Sequence, residues 1–94
     1  MHQSCIDIVE DIVEEIVVGS CVQVVKAPYK GLYAKVINKS YGDELEINYF
    51  QEKKTYGGRY WVIKEMDLDS REKDELKLVM AINDDRGRFT FEHI

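Results

Sequence analysis

The sequence predicts an all-β domain, a small barrel of about five to six strands, led in by one N-terminal amphipathic helix. Three observations predict it. Hydrophobic residues alternate at every second position in several short runs. Gly, Pro, Asn and Asp punctuate the chain between those runs. No apolar run approaches the roughly 18 residues that a membrane span needs, so no membrane association is expected. At 94 residues the chain is one domain with a compact core.

The helix comes first. In residues 4–18, SCIDIVEDIVEEIVV, the residues Ile6, Val9, Val13, Ile16 and Val17 fall on one side, and Ile8 and Ile12 widen that stripe. Apolar doublets every four residues fit a 3.6 period and fit strict alternation badly. Ser4 followed by Asp7 offers an N-cap arrangement, and Gly19 ends the segment. Most of its apolar residues are β-branched, which works against a helix. Residues 1–18 are thus read as an acidic amphipathic helix and 19–94 as the barrel with a C-terminal hairpin extension. The helix stripe either covers an open face of the barrel or docks a protein partner, including a second copy of the chain.

Strands follow at 20–26 and 32–39, separated by a basic turn containing Pro28 and Gly31. A third, 43–50, places Leu45, Ile47 and Tyr49 on one face and Glu44, Glu46, Asn48 and Phe50 on the other. Residues 51–58, QEKKTYGG, are expected to be a polar loop, 59–64 a fourth strand, and 65–73 a turn. In the fifth strand, 75–81, Leu76, Leu78 and Met80 are expected to point inward. Residues 83–87, NDDRG, are a hairpin turn into a last strand, 88–92, with Phe89 and Phe91 on one face. Closing the sheet removes exposed edges.

The net charge of −5 is unevenly spread. Residues 1–17 hold five acids and no Lys or Arg, and the 13 acids left equal the 13 bases that follow. Residues 18–42 carry Lys26, Lys30, Lys35 and Lys39 and no acid, whereas Asp43 onward is acid-rich. That asymmetry bears on partners more than the total does.

Catalytic chemistry is not expected. The histidines, His2 and His93, sit at the two ends, and no nucleophile, base and acid share a useful spacing. His2 and Cys5 have half of a metal-ligand spacing and no second pair, so no metal or cofactor is implied. Cys5 and Cys21 read as two reduced thiols. Met1 to Ile6 have no basic region leading into an apolar run, so no signal peptide is expected. The expectation is a non-enzyme that is intracellular and nuclear.

The stretch CVQVVKAPYKGLYAKVI, residues 21–37, resembles a KOW motif: alternating hydrophobics, a basic turn and Gly31 at the central glycine, with Ala34 where a second glycine is common. Residues 19–69 resemble a Tudor domain, with LYAKVI as its second strand and EINYF as its third. Both resemblances imply an SH3-like barrel. They also imply that the loops after the first and third strands lie at one end. That arrangement would gather Lys26, Lys30, Lys53, Lys54 and Arg59 around Tyr29 and Tyr56. Cations that neutralise phosphates, interleaved with rings that stack bases, suit nucleic acid. The Tudor resemblance implies an alternative, a reader of methylated lysine or arginine peptides. Its cage would be drawn from Tyr29, Tyr33, Tyr49, Phe50 and Tyr56, because ring quadrupoles hold cations. Leu32 stands where a cage aromatic is common. The expected partner is therefore nucleic acid, a methylated basic peptide, or a protein docked on helix 4–18.

Overall fold

A computed structural model describes residues 16–94. The expected helix lies outside the described residues up to position 15. Its last positions are not helical: Val17 and Ser20 close a turn, the Ser20 N–H donating to the Val17 carbonyl at 2.9 Å and the Val17 N–H to Ser20 Oγ at 3.0 Å. Ile16 is buried in the core.

Six strands make up the rest: β1 (Cys21–Val24), β2 (Tyr33–Lys39), β3 (Glu44–Thr55), β4 (Gly58–Glu72), β5 (Leu76–Asn83) and β6 (Phe89–His93). A 3-10 turn at Lys73–Glu75 joins β4 to β5. All pairings are antiparallel, and the strands form one sheet in the order β1-β2-β3-β4-β6-β5. β5 pairs back onto β1, with Val22 opposite Leu78 and Val24 opposite Leu76. The remaining seam is thin, since β4 meets β6 at the single pair Trp61 and Phe89.

Alternation puts one set of side chains on the inner face. Val22, Val24, Ala34, Val36, Leu45, Ile47, Tyr49 and Leu76 form an aliphatic core with Ile16, and Leu32 and Leu78 pack against it. The inward reading of Leu45, Ile47, Tyr49, Leu76 and Leu78 agrees with this. Met80 does not: it is half exposed, and Val79 is buried instead. Beyond Val79, β5 leaves β1 and pairs only with β6, so the aliphatic core no longer lies against it.

A second cluster forms on the other face. Tyr33, Phe50, Trp61, Phe89 and Phe91 meet through ring contacts of 4.2 to 6.3 Å. Phe50, expected to face outward, is buried here, because β3 carries on past the aliphatic core.

Two expected loops are strand. Residues 51–58 were expected to be a loop, yet β3 and β4 pair up to Thr55 and Gly58, leaving only Tyr56 and Gly57 as the turn. A polar ribbon needs no buried face to satisfy its backbone by cross-strand hydrogen bonds. The expected turn at 65–73 is likewise mostly β4. Its turn-like composition reflects a register break: Asn48 is opposite Leu68 but Phe50 is opposite Ile63. Residues 64–67 bulge out against the single residue Tyr49.

Candidate ligand cleft

The bulge and the loop between β1 and β2 face each other across a cleft of about 470 Å³, lined by Tyr29, Leu32, Tyr49, Lys64, Asp67, Leu68 and Asp69. Each wall has a local cause. On one side, Asn48 grips the bulge: its side-chain amide donates to the Lys64 carbonyl at 2.8 Å, and its Oδ1 accepts the Asp67 N–H at 2.8 Å. On the other side, Arg71 grips the loop. Its guanidinium donates to the Lys26 carbonyl at 2.7 Å and to the Pro28 carbonyl at 2.9 Å. Arg71 is only 5% exposed, and its charge is met by Asp69 at 3.9 Å and Glu75 at 3.5 Å. Nε lies within ion-pair range of Glu75 but makes no hydrogen bond.

The floor is Tyr49. It is 5% exposed, and its ring meets that of Tyr29 edge-on with centroids 5.5 Å apart. Its hydroxyl donates to Asp69 Oδ2 at 2.5 Å. Burial raises the Tyr49 hydroxyl well above the ordinary phenol range, and the bond to Asp69 adds to that, so it stays a donor. Asp67, on the rim, pairs with Lys64 at 3.2 Å.

Tyr29 (φ 68) and Met66 (φ 57) are the two non-glycine residues with left-handed backbone among the described residues. One stands in each wall of the cleft. That conformation costs a side-chain-bearing residue roughly 1–2 kcal/mol, and such strain concentrates where a ligand is held.

The residues singled out from sequence fall into separate places. Lys26, Tyr29 and Lys30 lie in the loop between β1 and β2, and all three are exposed. Lys53, Lys54, Tyr56 and Arg59 lie at the tip of the β3–β4 hairpin. Among the described residues no hydrogen bond, ion pair or ring contact joins the two groups, and Tyr29 and Arg59 line different clefts. The hairpin tip instead shares a cleft with the turn after β5, lined among others by Arg59, Tyr60, Asp84 and Arg88. The separation follows from hairpin length: β3 continues about five residues beyond Phe50, roughly 17 Å at strand rise. Arg59 is engaged by Glu52 at 2.9 Å.

The candidate cage divides in the same way. Tyr29 and Tyr49 come together. Tyr33 and Phe50 belong to the aromatic cluster, Tyr33 stacked on Phe91 at 4.2 Å. Tyr56 stands alone and fully exposed.

Lys64, Asp67, Asp69, Asn48 and Arg71 were not singled out by sequence. Alternation sends Asn48 outward and has nothing to say about a bulge that lies opposite the next residue, Tyr49. Cys21, half-buried beside Lys35, has its thiol pushed up by burial against a smaller opposing pull from that lysine. Among the described residues no cluster of His, Cys, Asp and Glu could hold a metal ion, and no helix is long and apolar enough to cross a membrane. The chain matches no protein-family model, no curated protein and no solved structure.

Proposed function

We propose that this is a non-catalytic binding module, an SH3-like barrel of the Tudor kind, whose cleft takes the cationic side chain of a methylated lysine or arginine in a basic peptide. The observation that carries this reading is the pairing of Tyr29 and Tyr49 with Asp67 and Asp69 in one cleft. Rings and carboxylates both attract a cation. Leu32 and Leu68 line the same cleft and suit methyl groups, which shed water more readily than bare ammonium or guanidinium. The return of β5 onto β1 supports the barrel.

Nucleic acid fits this cleft less well, because Asp67 and Asp69 would repel phosphate. Lys64 occupies the rim as an internal cation. Its pair with Asp67 is half exposed and worth at most about 1 kcal/mol, so an incoming cation can replace it.

The test is an amide-shift titration with peptides carrying dimethylarginine or trimethyllysine, their unmethylated counterparts, and a short RNA. Methylated peptide should shift residues 29–32, 49 and 64–69. Tyr29→Ala should weaken binding about tenfold, a loss typical of removing one ring from a desolvated cation. Lys64→Ala should tighten it, because Asp67 is freed. Silence of these residues with every methylated peptide overturns the proposal.

A further inference from the structure

The tip of the β3–β4 hairpin is a second surface, separate from the cleft. Cross-strand pairing sets its two faces, since neighbours along a strand point to opposite sides. Lys53 is opposite Tyr60, and Lys54 is opposite Arg59. Each face carries a lysine and an arginine paired with a carboxylate, and the two differ in the ring that only the Lys53 face presents, Tyr60. On the Lys54 face, Arg59 is held by Glu52 at 2.9 Å. On the Lys53 face, the β5–β6 turn supplies another cation: the Arg88 guanidinium lies over the Tyr60 ring, 5.5 Å from its centroid. Asp84 pins it there at 2.6 Å, and Asp84 also accepts the backbone N–H groups of Arg86 and Arg88 at 2.9 Å. Neither Lys53 nor Lys54 has a carboxylate within 4.0 Å among the described residues. At the apex stands Tyr56, fully exposed and in contact with no other ring among the described residues.

A fully exposed tyrosine beside cations on a projecting ribbon presents a ring face on which a base can stack. We propose that Lys53, Tyr56, Tyr60 and Arg88 form a binding surface for single-stranded nucleic acid. Tyr56 stacks a base and Lys53 takes the flanking phosphate, while Arg88, neutralised by Asp84, holds the Tyr60 ring in place beside them. Arg86, in the same turn, adds positive potential; Asp84 and Asp85 oppose it. Asp84 is already committed to Arg88 and to two backbone donors, so its charge is largely spent within the turn. The surface is independent of the cleft, and its failure leaves the methylated-peptide reading intact.

The experiment is fluorescence anisotropy of a labelled single-stranded twelve-nucleotide RNA or DNA, with the full chain, across a salt series. Wild type should bind in low salt, with affinity falling as salt rises. Tyr56→Ala should weaken binding about tenfold, the loss of one stacked base. Lys53→Ala should reduce the salt slope by about 0.7, the release expected for one phosphate contact. Lys54→Ala, on the other face, should change it less. All three side chains are exposed, so the variants keep their fold, and an unchanged far-UV circular dichroism spectrum and urea midpoint serve as the check that they do. Equal loss from Lys53→Ala and Lys54→Ala overturns the proposal. So does a duplex bound as tightly as the single strand, no effect of Tyr56→Ala, or no binding in low salt.

Discussion

The Asn48 side chain holds the backbone of Asp67, its Oδ1 accepting the Asp67 N–H at 2.8 Å, while the same amide donates to the Lys64 carbonyl. One side chain thus closes both ends of the bulge that carries Lys64, Asp67 and the left-handed Met66. Asn48→Ala is expected to cost about 1–2 kcal/mol, two hydrogen bonds partly replaced by water. Asn48→Asp keeps the acceptor for Asp67 and loses the donor to Lys64, so it should fall between the two. Urea unfolding measures the cost. Amide shifts over 64–68 should move in both variants, and peptide affinity should fall with them.

Arg71 plays the corresponding part for the opposite wall. Two loop carbonyls, of Lys26 and Pro28, depend on one nearly buried guanidinium. Arg71→Met removes that donor and leaves Asp69 and Glu75 without their counter-charge. A loss of about 3 kcal/mol is expected, as for breaking a buried charged network. Arg71→Lys keeps the charge but cannot fork to two carbonyls. It should therefore recover part of the stability yet leave Tyr29 displaced, visible as a changed ring shift for Tyr29 against an unchanged aliphatic core.

Much of the strand content was legible because period-two alternation is strong in VQV, AKV and LEINY. Gly31 was legible as a turn residue for a physical reason: its φ is +97°, which suits a residue without Cβ. What alternation cannot show is where a ladder changes register. The stretch KEMD is polar, short and turn-like, and only the pairing of Asn48 with Leu68 and of Phe50 with Ile63 reveals it as a bulge. The same blindness hid half of the site. Asp67 reaches the cleft from the bulge and Asp69 from the ladder just past it, opposite Ile47, and Arg71 is buried because a loop more than 40 positions earlier folds onto it. The length of the β3–β4 hairpin was hidden as well, because polar ribbon and polar loop share a composition. The extra reach carries the tip to the β5–β6 turn and away from Lys26 and Lys30.

The β5–β6 turn should respond to acid. Asp84 is held below the ordinary carboxylate value of 3.8, first by the backbone N–H of Arg88, opposed by a smaller desolvation effect, then by the Arg86 N–H and the Arg88 side chain. A depressed pKa means the charged form favours the folded turn, so the contribution is full above 3.8 and is lost as pH falls through the lower folded value. Amide shifts of Arg86 and Arg88 should titrate together with a midpoint below 3.8. Asp84→Asn should abolish that step and loosen Arg88 from Tyr60, seen as a narrowed spread of the Tyr60 ring shifts.

The two hydrophobic clusters should unfold as one. The aliphatic core and the aromatic cluster share β2 and β3, with Tyr33 and Ala34, and Tyr49 and Phe50, adjacent in sequence but in different clusters. No hinge separates them, because the backbone ladder of β3 and β4 resumes immediately past the bulge. Phe91→Ala removes a ring that touches Tyr33, Phe50, Trp61 and Phe89, and should cost about 3 kcal/mol. Trp61 is buried in the aromatic cluster and reports on it by fluorescence, while far-UV circular dichroism reports on all six strands. In urea the two signals should give coincident transitions in the wild type and, at a lower midpoint, in Phe91→Ala. A fluorescence transition that precedes the loss of strand signal would instead make the aromatic half a separately melting unit, joined to the aliphatic half by chain continuity alone.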